Sequence, residues 1–301
     1  MRILITGSNG LLGQKLVKRC LKLQIPFVAT SKGENRNPEC PNDCYSALDI
    51  TNENDIKNVL EKVKPTAVIH TAAITNVDYC ELNSDECFDV NIAATQKLFD
   101  FCKSKSIHFQ LLSTDFVFDG EVGNYSENDG VNPLSVYATS KVNAEKILLD
   151  DNYPEWSIAR TIIVYGTGFN LSRSNMILWA LEALPKGETM RLVNDQFRAP
   201  TWADDLAYGC LEIVLRKQQG IFHLSGPVTR SIDLIVREIA NILKLEHVSI
   251  ETVSSKTLNQ AALRPPKTGF NLSKATHFLD YKPKDFNETI PLLLQELAHL
   301  R

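Results

Sequence analysis

Two residues with clear catalytic chemistry, Tyr137 and Lys141, lie four positions apart in the chain. They fall in a stretch, 134–149, whose apolar spacing predicts a helix, so the phenol and the ammonium share one face of it. A phenol with an ordinary pKa of about 10 is a poor acid or base at neutral pH, and a nearby ammonium favours the phenolate. This spacing occurs in unrelated helices too, but it predicts a tyrosine acid/base whose pKa is lowered by Lys141.

Hydroxyl and carboxyl side chains, Ser113, Thr114 and Asp115, follow the apolar run that begins at residue 109. If that run is a strand of a parallel sheet, they lie at the carboxyl edge, where open α/β sheets bind ligands. A hydroxyl there can hydrogen-bond a substrate carbonyl oxygen, and Thr114 is the candidate, with Ser113 as the alternative. For Asp115 we predict that it orients a substrate hydroxyl or Thr114, and a turn-capping role is equally compatible.

A glycine-rich segment lies between the first apolar run, 2–6, and a helical pattern over 11–23. Its GxxGxxG spacing allows a tight turn and lets backbone N–H groups approach a pyrophosphate at the helix N-terminus, although such glycines can also be purely structural. The residues predicted to bind a dinucleotide here are Gly7, Asn9, Gly10, Leu11, Leu12 and Gly13.

The end of the second predicted strand decides between the two nicotinamide dinucleotides. An acid there would bind the ribose 2′-hydroxyl of NAD, but the chain has Ser31 and Lys32, with Arg36 further on. A 2′-phosphate suits these residues, so we predict NADPH, with NADH as the alternative, unless Lys32 and Arg36 are simply solvated charges. Further predicted cofactor contacts are Asp49 and Ile50 beside the adenine, and the small residues Thr71, Ala72 and Ala73.

Short, almost wholly apolar runs alternate with helical patterns through the first half of the chain. The predicted strands are 2–6, 26–30, 66–70, 109–113 and 157–165, and the predicted helices are 11–23, 55–63, 83–104 and 134–149. Asn83 and Glu86 form the pattern of a capping box that opens the third of these helices. Such an alternation predicts an α/β fold with a Rossmann-type, doubly wound parallel sheet.

The second half of the chain is less regular. Helices are predicted over 175–184, 202–215, 231–243, capped by Ser231, and 292–300, with a strand over 221–224. We predict a smaller, interleaved C-terminal substrate domain rather than an appended one. The dinucleotide-binding domain takes residues 1–168 plus about 197–225, and the substrate-binding domain takes about 169–196 and 226–301.

Composition argues against several other classes of protein. A formal net charge of −4 offers no basic surface for nucleic acid or an anionic membrane. No apolar run approaches the roughly 20 residues needed to cross a bilayer, and the start, MRILITG, is not that of a signal peptide. The seven cysteines are scattered without a CxxC spacing, which predicts packed, reduced thiols and no metal site. We therefore expect a cytoplasmic protein.

These motifs stand in the order and at about the spacing of the extended short-chain dehydrogenases/reductases, which the chain resembles. Within that family, the run 113–120, STDFVFDG, is similar to the STDYVFDG string of dTDP-4-dehydrorhamnose reductases, whereas epimerases and dehydratases more often have SSxxVYG. The similarity covers nearly the whole chain. Its other matches are His70–Ala73 with Asp78 and Glu81, Asn91 with Ala94 and Thr95, Arg160 and Thr161, Val164–Gly166, Asp195 and Gln196, Pro200 and Thr201, and Arg264 and Pro265.

The resemblance implies that NADPH delivers hydride to C4 of a dTDP-linked 4-keto-6-deoxysugar. Tyr137 would donate the proton, Lys141 would tune Tyr137 and hold the nicotinamide ribose, and Thr114 would polarise the carbonyl. The resemblance adds Asn91 to the cofactor contacts. It implies substrate contacts from Thr75, Asp115, Arg198 and Arg264, of which Arg264 is the first candidate for the pyrophosphate, ahead of Arg198 and Arg173.

The departures from the family pattern all fall on the substrate side. Ile163 stands where a Trp is usual and Arg198 where a Gly is frequent, and an unusual sequence follows Pro265. The alternatives are therefore a reductase of another carbonyl, a sugar-nucleotide epimerase or dehydratase, or a non-catalytic regulatory subunit like the methionine adenosyltransferase β subunit. The intact glycine loop and the Thr–Tyr–Lys set favour catalysis. The predicted partner is a small nucleotide-sugar molecule, and a homodimer is left open.

Overall fold

The computed structural model describes residues 1–258 and 260–300, in which strands and helices alternate along the chain. The strands are β1 (Ile3–Thr6), β2 (Phe27–Ser31), β3 (Tyr45–Ala47), β4 (Ala67–His70), β5 (His108–Thr114), β6 (Trp156–Thr161), β7 (Val164–Tyr165), β8 (Met190–Val193), β9 (Phe197–Arg198), β10 (Thr201–Trp202), β11 (Gly220–Leu224), β12 (Arg230–Ser231) and β13 (Ile250–Val253). The helices are α1 (Leu11–Lys22), α2 (Glu53–Val63), α3 (Val77–Leu82), α4 (Ser84–Phe88), α5 (Ala94–Ser104), α6 (Val136–Leu149), α7 (Met176–Ala183), α8 (Ala203–Leu215), α9 (Ile232–Ile242), α10 (Ser273–Leu279) and α11 (Phe286–Leu300).

Seven parallel strands form the central sheet in the order β3-β2-β1-β4-β5-β6-β11. Each residue of β1 and β4 is buried, as expected for strands covered on both faces. Ile3 and Ile5 pack with α1 and α8 on one face, while Leu4 packs with α2, α5 and α6 on the other. The predicted Rossmann-type, doubly wound sheet is confirmed.

The predicted helix 83–104 forms, but a π-helical turn over 89–93 divides it into α4 and α5. Its predicted capping box is wrong, because Asn83 makes no side-chain cap and Glu86 instead accepts a hydrogen bond from the Tyr79 hydroxyl. Ser231 precedes α9 as predicted, yet its hydroxyl donates to Asp233 and leaves the helix N–H groups uncapped. The predicted strand 157–165 is two strands, because Ile163 has a φ of 25°.

Outside the central sheet, a further apolar cluster is built from α7, β8, α9 and α11. It includes Tyr165, Ile177, Met190, Ile235 and Ile290, and β13 pairs with β8 beside it. The chain therefore enters this cluster after β7, leaves it for α8 and β11, and returns. That path agrees with an interleaved second domain, whose boundaries remain a prediction.

None of the helices within the described ranges is both long and apolar enough to span a bilayer. The seven cysteines are all free thiols, and six of them are buried. In the same described ranges, no three His, Cys, Asp or Glu side chains are grouped in a way that could hold a metal ion.

A buried ion pair fastens α6 to the sheet. The Arg160 guanidinium on β6 donates to both carboxylate oxygens of Glu145 on α6, at 2.9 and 2.6 Å, and both side chains are about 2% exposed. Arg160 also lies 3.4 Å from the His223 ring and over the Phe118 ring. Because a charge that loses its partner in such a place is costly, this pair holds the helix in one position.

Glu145→Gln is expected to lower the free energy of unfolding by about 3–5 kcal/mol, since it leaves the Arg160 charge buried and unpaired. Glu251→Gln is the matched control, because its carboxylate pairs with Arg191 at 3.2 Å on the surface and should cost less than about 1 kcal/mol. Urea denaturation measures both. Equal losses in the two variants would contradict an anchoring role for the buried pair.

Candidate active site

The glycine turn after β1 packs backbone against backbone. Gly7 has a φ of 69°, and a Cβ there would lie 2.8 Å from the Ala72 nitrogen. A Cβ on Gly13 would lie 2.4 Å from the Gly7 carbonyl oxygen. Since Gly10 caps α1 without a side chain, the first N–H groups of α1 have no side-chain acceptor from the cap. The turn, including Leu11 and the buried Leu12, thus presents a helix N-terminus suited to an anion.

Asn9, predicted to contact a cofactor, shapes this turn from within. Its side-chain amide donates to the Glu34 carbonyl at 2.9 Å and accepts from the Arg36 N–H at 2.9 Å. Its backbone N–H donates to the Ser31 hydroxyl at 2.9 Å. Asn9 and Ser31 therefore join the glycine turn to the loop that follows β2.

Lys32 and Asp49, predicted separately, form an ion pair of 2.8 Å. The Lys32 side chain is 81% exposed, so its ammonium is open to solvent and to a ligand. The hydrogen bond from Lys32, together with one from the Thr51 hydroxyl, lowers the pKa of Asp49 to about 2. Ile50, the next residue after Asp49, is buried in the apolar core.

The predicted small residues after β4 are linked to β1 by Thr6. The Thr71 hydroxyl donates to the Thr6 carbonyl at 2.7 Å, and the Ala72 N–H donates to the Thr6 hydroxyl at 3.3 Å. His70 lies between Thr6 (2.8 Å) and Thr95 (3.2 Å), and burial lowers its pKa to about 3. The neutral ring thus braces the segment that also contains Ala73. The sequence interpretation named His70 only as a family match and missed this role.

Asn91 lies in the π-helical turn, a distortion that is frequent at functional sites. Its side chain accepts from the Ile74 N–H at 2.8 Å and donates to the Ile74 carbonyl and the Ser140 hydroxyl, both at 3.0 Å. Asn91 therefore ties the loop after β4 to α6 next to Lys141. Its predicted contact with a cofactor stays a prediction.

Thr114 ends β5, and α6 begins at the same edge of the sheet. The Ser135 hydroxyl caps α6 by accepting from the Ala138 N–H at 3.3 Å, which places Tyr137 in its first turn. Tyr137 is hydrogen-bonded to Thr114 and lies edge-on to the Phe116 ring. The two predicted catalytic hydroxyls are thus brought together, 23 positions apart in sequence.

Burial, rather than Lys141, dominates the acidity of Tyr137. It raises the phenol pKa well above the ordinary value, and the Thr114 hydrogen bond only partly opposes it. The prediction that Lys141 brings this pKa towards neutrality is therefore wrong for the chain in this structure. Burial also lowers the pKa of Lys141 to about 8, with Glu145 opposing. Within residues 1–258 and 260–300 the Lys141 ammonium has no hydrogen-bond or ion-pair partner, which leaves it available to a ligand.

Asp115 is turned inwards. One carboxylate oxygen accepts from the Thr114 hydroxyl at 3.1 Å, and the other accepts from the Thr268 hydroxyl and lies 3.7 Å from Arg198 Nε. Burial raises the pKa of Asp115, while Arg198, Thr268 and Thr114 oppose that rise. Ser113, the alternative to Thr114, is buried, and its hydroxyl has no hydrogen-bond partner among the described residues.

The arginines predicted to contact a substrate have different surroundings. Arg198 is 2% exposed, and its guanidinium donates to the carbonyls of Phe197 and Pro265, each at 2.7 Å. Arg264 is 17% exposed and pairs with Asp78 of α3 at 2.6 Å. The exposed Arg173 reaches Thr75 at 3.4 Å. Arg198 is thus an internal strut, whereas Arg264 and Arg173 lie nearer the surface.

A doubly wound parallel sheet, a glycine turn after its first strand and a Tyr–Lys pair at its carboxyl edge define a short-chain dehydrogenase/reductase type of protein. Residues 1–299 match the RmlD substrate binding domain family, and the chain belongs to that family.

The chain is similar to several known proteins over most of its length. A probable low-salt glycan biosynthesis reductase of Haloferax volcanii is 30% identical, over 91% of this chain and 90% of that protein. The methionine adenosyltransferase 2 subunit beta of Danio rerio is 26% identical, over 91% of this chain and 83% of that protein. The solved structure of a dTDP-4-dehydrorhamnose reductase from Clostridium acetobutylicum has a TM-score of 0.85 and 26% identity, and the match covers 99% of this chain and 100% of that one.

Gly7→Ala should destabilise the protein more than Gly33→Ala. Both glycines have positive φ, 69° and 79°, so both substitutions carry a backbone strain of about 1–2 kcal/mol. The added methyl collides with Ala72 and Thr71 at Gly7, whereas it meets open space at Gly33. Overpacking should therefore cost about 1–3 kcal/mol more, at Gly7 alone. Thermal unfolding followed by circular dichroism makes the comparison. A smaller loss at Gly7 would show that the turn is not closely packed.

Proposed function

We propose that the chain is an NADPH-dependent reductase of the 4-keto group of a nucleotide-linked deoxysugar. One observation carries the proposal: Lys141, a buried lysine with no hydrogen-bond partner among the described residues, follows by one helical turn a buried phenol that is hydrogen-bonded to Thr114. An ammonium in such a place is costly unless a ligand compensates it. The names of the Clostridium and Haloferax relatives, both reductases, support the same activity.

The residues around the glycine turn fit a dinucleotide. The absence of a Cβ at Gly7 and Gly13 keeps the turn closed, and the uncapped N-terminus of α1 offers N–H groups to a pyrophosphate. Lys32 would take the 2′-phosphate, and Lys141 would take the nicotinamide ribose hydroxyls. When bound, NADPH supplies the hydride that reduces the carbonyl carbon.

The chain itself contributes two things to the reaction: the proton of Tyr137 and the positive charge of Lys141. Burial keeps Tyr137 a neutral phenol, the form that can donate a proton to the oxygen of a carbonyl under reduction. With a pKa of about 8, Lys141 is mostly charged at neutral pH and stabilises the phenolate that remains. A positioned acid of this kind contributes about 10²–10⁴-fold to the rate.

The nucleotide pyrophosphate needs cations on the substrate side. We infer that Arg264 and Arg173 bind this pyrophosphate. Each lies near the surface and reaches a residue of the predicted dinucleotide-binding domain, Asp78 or Thr75. Arg198 is buried among backbone carbonyls, so we assign it no substrate contact.

A regulatory, non-catalytic subunit is the second candidate, because the Danio rerio relative is named a subunit beta of methionine adenosyltransferase 2. Against it stand the intact Thr114, Tyr137 and Lys141. Two alternatives remain. An epimerase or dehydratase would show no net consumption of NADPH, and a reductase of another carbonyl would consume NADPH with a different substrate. We further propose a cytoplasmic protein whose partner is a small nucleotide sugar rather than nucleic acid, and a homodimer is compatible with this proposal.

The proposed reaction predicts NADPH consumption with at least one member of a panel of dTDP-, UDP- and GDP-4-keto sugars. Tyr137→Phe should lower kcat by at least about 10²-fold with unchanged NADPH affinity, and Lys141→Ala should impair both. Tyr208→Phe is the matched control, since that hydroxyl donates to the Leu279 carbonyl away from the site. NADPH binding without turnover of any panel member would favour the regulatory subunit.

NADPH should bind more tightly than NADH by about tenfold, or about 1.4 kcal/mol, because Lys32 is exposed where the 2′-phosphate would lie. Lys32→Asp should erase or reverse that preference, and the exposed Lys105→Asp should leave it unchanged. Titration of both dinucleotides by isothermal calorimetry gives the ratio. Equal affinities in the unaltered protein would refute the assignment of Lys32.

A further inference from the structure

A buried threonine, Thr268, reaches the catalytic edge from a segment 153 positions beyond Asp115 in the chain. The Thr268 side chain is fully buried, and its hydroxyl donates to the Asp115 carboxylate. Its backbone N–H donates to the Phe197 carbonyl at 3.0 Å, and the neighbouring Lys267 N–H donates to the Gly120 carbonyl at 3.2 Å. The backbone is therefore held at Lys267 and at Thr268, which fixes the position of the Thr268 hydroxyl.

Both oxygens of the Asp115 carboxylate are occupied from inside the protein. Thr114 donates to one, Thr268 donates to the other, and Arg198 supplies a compensating charge at 3.7 Å. Since only 2% of Asp115 is exposed, its carboxylate is not presented to a sugar hydroxyl. The alternative left by the sequence, that Asp115 orients Thr114, is the one that this geometry favours.

The Thr114 hydroxyl links Asp115 to Tyr137. It donates to Asp115 at 3.1 Å, and its oxygen accepts from the Phe116 N–H at 3.2 Å. Tyr137 is hydrogen-bonded to the same hydroxyl and lies edge-on to the Phe116 ring. A chain of hydrogen bonds thus joins Tyr137 through Thr114 to Asp115, whose other carboxylate oxygen accepts from Thr268.

We propose that Thr268 is a positioning residue for catalysis: it holds the Asp115 carboxylate so that Asp115 accepts the hydrogen bond of the Thr114 hydroxyl, and Thr114 in turn holds the Tyr137 phenol. The inference rests on the proposed reductase function and deepens it. In this inference Asp115 does not bind the substrate but helps to position the proton donor, Tyr137. The first role of Thr114 is then to hold Tyr137, and its contact with the substrate carbonyl comes second.

The test compares Thr268→Val, Thr268→Ser and the matched control Thr289→Val. Thr289 is equally buried, and its hydroxyl contacts Tyr165 at 2.6 Å in the separate α7–α11 cluster. We expect Thr268→Val to lower kcat by about tenfold, with the sugar-nucleotide KM within about twofold, because misplacement of a proton donor acts on the chemical step. Thr268→Ser retains the hydroxyl and should restore kcat, and Thr289→Val should lower the Tm without affecting kcat.

A second measurement needs no substrate. Labelling tyrosines with ¹³C at Cζ gives a resonance for Tyr137, identified by its loss in Tyr137→Phe, that responds to the hydrogen bond of the phenol. Thr268→Val should shift this resonance, whereas Thr268→Ser and Thr289→Val should not. If the unaltered chain turns over no sugar nucleotide, the proposed function fails, while the resonance still tests the chain of hydrogen bonds from Thr268 to Tyr137.

Three results would overturn the inference. A raised sugar-nucleotide KM with normal kcat in Thr268→Val would mean that Asp115 acts on the sugar. A loss of Tm alone, as in Thr289→Val, would make Thr268 purely structural. An unshifted Tyr137 resonance in Thr268→Val would break the link between the two residues, whatever happened to kcat.

Discussion

The position of α6 depends on one buried ion pair, Glu145 with Arg160, and most of the site depends on α6. Tyr137, Lys141 and Glu145 follow one another at intervals of four, so they form a stripe that faces the sheet. That stripe contains two ionisable groups besides the phenol, which would be unfavourable in a dry interior without compensation. The bidentate contact with Arg160, at 2.9 and 2.6 Å, satisfies Glu145, and Glu145 in turn supports the charge on Lys141 one turn away.

The same dryness sets the protonation states that the reaction needs. Removal from water favours the neutral form of every group, so the pKa of Tyr137 rises and that of Lys141 falls to about 8. At neutral pH the phenol therefore still holds its proton, and the ammonium, with its pKa just above that pH, is still mostly charged. As pH rises through about 8, Lys141 loses its charge, and the cation that would stabilise a phenolate is lost with it. An acid beside a cation is the pair that carbonyl reduction requires.

Sequence patterns were sufficient where the interaction is local. Apolar runs separated by helical patterns predicted the central sheet, and the glycine spacing and the Tyr137–Lys141 interval predicted the turn and the helix face. Glu145 and Arg160 had a usable signal, since a cation inside the apolar run 157–165 requires a partner. The orientation of the Asp115 carboxylate had no such signal in the sequence, because it depends on Thr268, which only the fold brings near. The π-helical turn at Asn91 was likewise invisible, since a helical pattern does not distinguish it from an α-helix.

Arg198 shows why the substrate side was the harder part to predict. An arginine at a position matched to a nucleotide-sugar site suggests a phosphate contact, but a guanidinium can equally donate to backbone carbonyls. The turn after Arg264 contains two successive prolines, and proline nitrogens donate no hydrogen bonds. Arg198 supplies donors to the carbonyls of Pro265 and Pro266, at 2.7 and 3.4 Å, and thereby fixes the backbone that presents Thr268. The residue that departs from the family pattern thus acts through the backbone next to it, so changes in this segment should act on Asp115 and on the proton donor through Thr268.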